Sequence, residues 1–343
     1  MADTYAAAGV DIAAGEEAVE RIRQKVRTTY RPEVLGDLGG FGGLFAFDPT
    51  RWSHPVLVSS TDTVGTKALV ARQAGRLDTI GLDLVAMVVD DIAAQGAEPL
   101  FFLDTIMVGH LVPAEMEQLL EGIVAGCREA GCALVGGEMA ELPGLLDPGK
   151  FDLVGFGVGV VERARLVNGH RVEPGDRLIG LPSPGLRCNG YSLARRVLLE
   201  QSALPLDGPA WPGARHSLAD ELLRPSVIYS PALLQLQQAV DVRALAHITG
   251  GGLQANLARA LPPTCDGLLR RNAWAIPEIF WEIRDKGHID ALEMSKVFNL
   301  GIGMVAVVPA AQAAEGLSVL GEAGVESVEI GEIVAGTGTV RFA

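Results

Sequence analysis

Clustered glycine is the feature that most narrows the folds open to this chain. Of the 343 residues, 42 are glycine, about 12% where ~7% is usual. They follow no Gly-X-Y period and accompany no Pro/Ser-rich tract, which excludes a collagen helix and a disordered linker. They gather beside short apolar runs instead. Gly36-Asp-Leu-Gly-Gly-Phe-Gly-Gly43 precedes the run 44–47, Gly65 follows the strand-like run 55–60, and Gly136-Gly137 follows 133–135. Gly250-Gly251-Gly252 opens the helical stretch 253–260. Glycines at strand ends and helix starts present bare backbone N–H groups, which bind anions without a formal charge.

Charge sharpens this. The chain carries 28 basic and 42 acidic side chains, a formal net charge of −14. A sequence-independent nucleic-acid binder needs a basic footprint, and none is present. No run approaches the ~18 apolar residues of a membrane span. The N-terminal stretch shows no basic-then-apolar signal pattern. Cys127, Cys132, Cys188 and Cys265 form no Cys-x-x-Cys pair, as expected of reduced thiols in a cytoplasmic protein.

The length suits two domains. Apolar periodicity predicts helices over 11–28, 79–95, 114–130, 192–200, 227–240, 253–260 and 310–322. Strands are expected at 55–60, 100–103, 133–135, 152–161, 177–181, 303–308 and 327–333. A composition break over 162–177 divides the chain into domains 1–167 and 168–343. Both halves mix helices and strands, so the expected class is α/β or α+β in layers.

The strongest local motif is Thr61-Asp62-Thr63-Val64-Gly65-Thr66-Lys67 behind an apolar strand. A carboxylate, a glycine, a hydroxyl and a lysine there match the needs of a metal–phosphate site. The spacing is not that of a Walker A loop. Asp90 and Asp91 interrupt an apolar helix, so each sits at its solvent edge or against a partner. Asp104 and Glu138 are expected at strand ends. Mg²⁺ takes few carboxylates besides phosphates and water, so not all four acids need bind it. His247 is open to either a hydrogen-bonding or a catalytic role. Asn189 and Asn299 lie in glycine-punctuated loops.

Together these segments resemble the phosphoribosylformylglycinamidine cyclo-ligases, the aminoimidazole ribonucleotide synthetases of purine biosynthesis. The resemblance runs in order through Gly39-Gly-Phe-Gly42, Thr61–Lys67, Asp83-Leu-Val-Ala-Met87 and Gln95-Gly-Ala-Glu-Pro-Leu-Phe-Phe-Leu-Asp104. It continues through Leu134-Val-Gly-Gly-Glu138, Asn189-Gly-Tyr-Ser-Leu193, Thr249-Gly-Gly-Gly252 and Phe298-Asn299-x-Gly-x-Gly-Met304. It implies a two-domain α/β homodimer whose amino-terminal sheets join in a barrel across the interface. The implied ligands are ATP, Mg²⁺ and formylglycinamidine ribonucleotide. Carried over by position, Asp62, Asp91 and Glu138 become the metal acids, and Gly65, Thr66 and Lys67 the phosphate contacts. Thr249, Gly250, Gly251 and Asn299 become cofactor contacts from the second domain, and Lys67, Asp104 and Asn189 the catalytic candidates. Another ATP-using member of the wider superfamily, or a non-catalytic nucleotide-binding paralogue, is the alternative.

Two departures stand out. The family's Asn-Asp pair on the helix is Asp90-Asp91 here, and its His-Ser-Asn-Gly is Arg187-Cys188-Asn189-Gly190. Arginine does not titrate near neutrality, so it cannot take over a proton-transfer role from histidine.

Overall fold

Residues 4–343 are described by a computed structural model. Helix α1 (Ile12–Arg27) begins at Asp11, whose carboxylate accepts the amide of Ala14. The glycine-rich stretch that follows forms turns and bends. Next come β1 (Pro55–Thr63), α2 (Lys67–Ala74), α3 (Ile80–Ala94), β2 (Glu98–Val108), α4 (Pro113–Ala130), β3 (Ala133–Glu141) and β4 (Phe151–Glu162). Their sheet has the order β1-β4-β2-β3, antiparallel except for the parallel β2/β3 pair.

The second half holds β5 (Arg177–Pro182), α5 (Tyr191–Arg195) with a π-helical continuation to Gln201, α6 (Leu218–Leu222), α7 (Ser230–Ala239) and β6 (Ala244–His247). It closes with α8 (Gly252–Ala260), β7 (Cys265–Leu269), α9 (Glu278–Gly287), α10 (Ala291–Val297), β8 (Ile302–Val308), α11 (Ala313–Glu322), β9 (Val328–Ala335) and β10 (Val340–Phe342). The sheet order is β10-β7-β9-β5-β8-β6. The class is the mixed α/β arrangement of two sheets that the sequence predicts. No described helix is long and apolar enough to cross a membrane. All four cysteines are buried free thiols.

The strands of the first sheet run longer than their apolar cores. β1 continues to Thr63, β2 to Val108 and β3 to Glu141, because neighbouring strands pair with the polar residues as well. Asp104 and Glu138 therefore sit within strands and not at their ends, which corrects the sequence expectation. Asp62 and Asp104 both stand opposite Gly155, one on each side of β4. Glu138 is paired with Thr105, one residue out of phase with Asp104, so it faces the other side of the sheet.

Helix α3 lies against β4 because of three alternating glycines. A Cβ on Gly157 would come within 2.8 Å of Val88 and 2.9 Å of Ile92, and one on Gly159 within 2.7 Å of the Glu98 carbonyl oxygen. Gly155 would meet Phe102 and Leu84 in the same way. The opposite face carries Leu57, 65% exposed, and Phe156, 39% exposed. The core runs on between the halves: Leu186, Tyr191, Phe280 and Phe298 pack with residues of α3 and α4 in one cluster. Ala93 and Ala94 of α3 join another with Leu233 and Leu236 of α7.

Gly159→Ala should lower unfolding stability by about 1–3 kcal/mol, since backbone cannot yield as a side chain can. Chemical denaturation measures this, and an unchanged midpoint would contradict the close approach of α3 to β4.

Candidate functional site

Three elements converge where the halves meet. β1 brings Asp62, the end of α3 brings Asp91, and β6 with the turn into α8 brings His247 and Thr249. They line a cavity of about 510 Å³ shared with Ser60, Asn256 and Arg259, within the usual range for a small-molecule site. Burial pushes the Asp62 carboxyl above its ordinary value, opposed by the Thr63 amide, and the charge of Asp91 pushes it further. No ion pair to Asp62 occurs among the described residues. Burial works against the charge of Asp91 too. Its hydrogen bonds to His247 (2.8 Å) and the Ser60 hydroxyl (3.0 Å) outweigh that and hold it below the usual range. Two carboxylates in one cavity, one of them without a counter-charge, form a setting that favours a hard cation.

Behind this cavity lies a buried polar chain. Asp91 accepts the Nδ1 proton of His247, which leaves His247 Nε2 to accept from Arg187 Nη2 at 3.0 Å. The same Nη2 donates to Asp90 Oδ2 at 2.9 Å, and Nη1 donates to the Val227 carbonyl oxygen at 2.8 Å. Asp90 Oδ1 accepts the amides of Tyr229 (2.8 Å) and Ser230 (3.0 Å). Every partner of Asp90 is a donor, so it serves as a carboxylate. The guanidinium also lies 4.9 Å from the centre of the Tyr229 ring, within cation–π range.

Lys67 is placed differently from the sequence expectation. Its side chain is wholly buried and pairs with Asp83 at 2.6 Å, while Nζ donates to the Arg224 carbonyl oxygen at 2.9 Å. Asp83 also accepts the amide and hydroxyl of Ser226, at 2.9 and 2.6 Å. The ammonium is thus held inside the protein by Asp83 and the Arg224 carbonyl oxygen. Gly65 and Thr66 lie at the turn before α2, with Gly65 at φ +57° and the Thr66 hydroxyl 3.1 Å from that of Ser192. Asn299 is likewise committed. It donates to the Gly185 carbonyl oxygen (2.9 Å) and accepts the Gly301 amide (2.8 Å). Asn189 differs, because its buried Oδ1 has no hydrogen-bond partner among the described residues. A Cβ on Gly250 would lie 3.7 Å from its Nδ2, so Asn189 adjoins the 249–251 turn. Gly251 takes φ +100°.

Asp104 and Glu138 line a second cavity, of about 850 Å³, together with α1 and Gly39–Gly43. Asp104 is buried without a cation, and its pKa is pushed up to about 7. Asp62, Asp91 and Glu138 therefore do not gather within one chain. Among the described residues no three His, Cys, Asp or Glu side chains form a metal-holding group. Arg259 and Asn256 went unnoticed in the sequence. The only signal was their position one and two turns into the helix behind Gly250-Gly251-Gly252.

These two halves define a class. Residues 50–161 match the N-terminal domain of the AIR synthase related proteins and residues 173–342 match their C-terminal domain, and the chain belongs to that family. Curated relatives carry a particular name. The phosphoribosylformylglycinamidine cyclo-ligase of Myxococcus xanthus is 51% identical over 98% of both chains. That of Geobacillus kaustophilus is 48% identical over 100% of this chain and 99% of its own. Solved structures share the fold at lower identity. Thiamine-monophosphate kinase from Stenotrophomonas maltophilia superposes with a TM-score of 0.70 at 21% identity, covering 95% of each chain. Hydrogenase maturation protein HypE in complex with ATP gives 0.62 at 19% identity, covering 94% of this chain and 88% of its own.

Asp104 yields a signed pH prediction. A carboxyl whose folded pKa lies above its unfolded value binds its proton more tightly when folded. Its burial therefore lowers stability as pH rises from about 4 to about 7. Asp104→Asn should remove that slope and stabilise the protein at pH 8 by up to about 4 kcal/mol. Denaturant midpoints at pH 5 and pH 8 measure it, and an equal shift at both would show that the raised pKa is absent.

Proposed function

We propose that this chain catalyses the ATP-dependent cyclisation of formylglycinamidine ribonucleotide to aminoimidazole ribonucleotide, with release of ADP and phosphate. The observation that carries this is identity near one half, over almost the full length, with relatives named for that reaction. The ATP-bound structural relative of the same fold supports nucleotide use here.

The chemistry asks for positioning and charge control more than for covalent help. The formyl oxygen is a poor leaving group. It takes the γ-phosphoryl group as the bond to ADP breaks, and the amidine-side nitrogen then attacks the activated carbon. The carbon–oxygen bond breaks, phosphate carries the oxygen away, and the nitrogen gives up its proton. The cavity between the halves has acids on one wall and Thr249, Asn256 and Arg259 on the other. An acidic protein can hold a phosphorylated ligand in this way without a broad positive surface.

Mg²⁺ fits the Asp62 and Asp91 wall, since Asp62 lacks a counter-charge and is pushed up partly by Asp91. Mg²⁺ bound there would neutralise phosphate oxygens. Asn189, with its free Oδ1, and the amides at 249–251 would orient the ligand from the second half. Gly65 and Thr66 would contribute at the opposite rim. We assign Lys67 and Asn299 the supporting tasks of fixing that rim and the 183–185 turn. Asp104 and Glu138 are assigned to the second cavity, beneath a glycine-rich cover at 36–43.

A homodimer formed through the uncovered face of the first sheet is part of this proposal. Leu57, Phe156, Val158 and Phe101 lie on that face, where Leu57 and Phe156 are exposed. A contiguous apolar face of this kind marks an association site. Domain limits at 1–167 and 168–343 remain part of the proposal too.

Purified protein with Mg-ATP and formylglycinamidine ribonucleotide should yield aminoimidazole ribonucleotide and ADP in equal amounts. ADP release that ignores the substrate would overturn the assignment. Asp62→Asn should raise the KM for Mg-ATP at least tenfold while leaving the melting temperature unchanged or slightly higher, as a like-charge contact is lost. Unaltered kinetics would remove Asp62 from the site. Phe156→Glu should halve the particle mass seen by light scattering, and an unchanged mass would place the dimer contact elsewhere.

A further inference from the structure

Asp90 on α3 and Arg187 in the loop before α5 lie far apart in sequence and touch in space. Their side chains meet at 2.9 Å, 0% and 1% exposed. Each charge alone would be expensive to bury, so removing one partner of such a pair is strongly destabilising. The guanidinium does more than neutralise Asp90, because it also donates to Nε2 of His247. That bond fixes His247 with its proton on Nδ1, aimed at Asp91.

We propose that Asp90 and Arg187 are a single unit that positions His247, and through it Asp91, for nucleotide binding. Arg187 is then a positioning residue and takes no part in proton transfer. Its backbone agrees with a fixed task. Arg187 holds φ +61°, a conformation uncommon for a residue with a side chain, and its Nη1 is tied to Val227. Arginine suits this place because its planar fork reaches Asp90, His247 and the Val227 carbonyl oxygen together. A lysine ammonium has no such fixed geometry. The inference rests on the proposed reaction only for what Asp91 does.

A double-mutant cycle tests the coupling. Asp90→Asn leaves Arg187 without its counter-ion, and Arg187→His leaves Asp90 without its own. Each single variant should raise the KM for Mg-ATP at least tenfold, leave the KM for the ribonucleotide within about twofold, and lower the melting temperature. The double variant leaves neither charge buried alone, so it should recover much of the lost melting temperature and raise the KM by less than the product of the two single effects. If a single variant is insoluble, recovery of a soluble double variant carries the same meaning. A double variant no better than the poorer single would overturn the proposal, as would two singles with unchanged KM.

Nitrogen-15 NMR of the unliganded wild-type protein supplies a readout independent of turnover. His247, assigned by its loss in His247→Gln, should show the neutral Nδ1–H tautomer. A proton on Nε2 would rule out the Arg187 bond. Should the wild-type chain fail to make aminoimidazole ribonucleotide, the proposed reaction falls. The melting-temperature cycle and the tautomer would still decide the coupling.

Discussion

Asp83 and Asp90 stand about two turns apart on one face of α3, and each serves a buried cation and the backbone of segment 224–230 together. Asp83 holds Lys67 and Ser226, and Asp90 holds Arg187, Tyr229 and Ser230. The cations return bonds to the same segment, at the Arg224 and Val227 carbonyl oxygens. The stretch 224–229, which is neither helix nor strand, is thereby pinned at both ends to a helix of the other half. The cavity lies beside this double clamp and owes its shape to it. Asp91 follows Asp90 directly, so whatever fixes α3 against the second half fixes Asp91 across from Thr249 and Arg259.

The clamp depends in turn on how closely α3 approaches β4. Gly155, Gly157 and Gly159 remove the side chains that would hold the helix off the sheet. A helix lifted away would carry Asp83, Asp90 and Asp91 with it. The glycines of this chain thus do two kinds of work. Some form the turn that follows Thr249 at the cavity, where Gly251 takes φ +100°. Others let an acidic helix sit deep enough for its carboxylates to be desolvated, paired and aimed. In a chain of net charge −14, two cations are thus spent inside the protein on alignment.

Much of this was legible in the sequence. Periodicity located α1, α3, α4 and α8 within a residue or two, because each shows an apolar stripe bounded by a proline, a cap or a glycine. Strand ends were less legible. Asp104 and Glu138 looked terminal because apolarity stops there, yet hydrogen bonding between strands does not depend on side-chain polarity. Asp90 and Asp91 divided between the two fates their pattern allowed, one paired inside and one facing the cavity. A lysine after Gly-Thr looks ready for phosphate, and nothing nearby in sequence reveals Asp83 as the partner of Lys67. Arg187 and Asp90 each looked like a separate anomaly for the same reason: 97 residues divide them, and only the fold shows them to be one feature.

The central claim is that α3 clamps segment 224–230 through its two buried carboxylates. Native-state hydrogen exchange at the amides of Ser226, Tyr229 and Ser230 tests it most directly. The account predicts protection comparable to that of the α3 core, with exchange only through global opening. Exchange at the rate of an unstructured loop would show that the carboxylates do not hold the segment, and the shape of the cavity would need another cause.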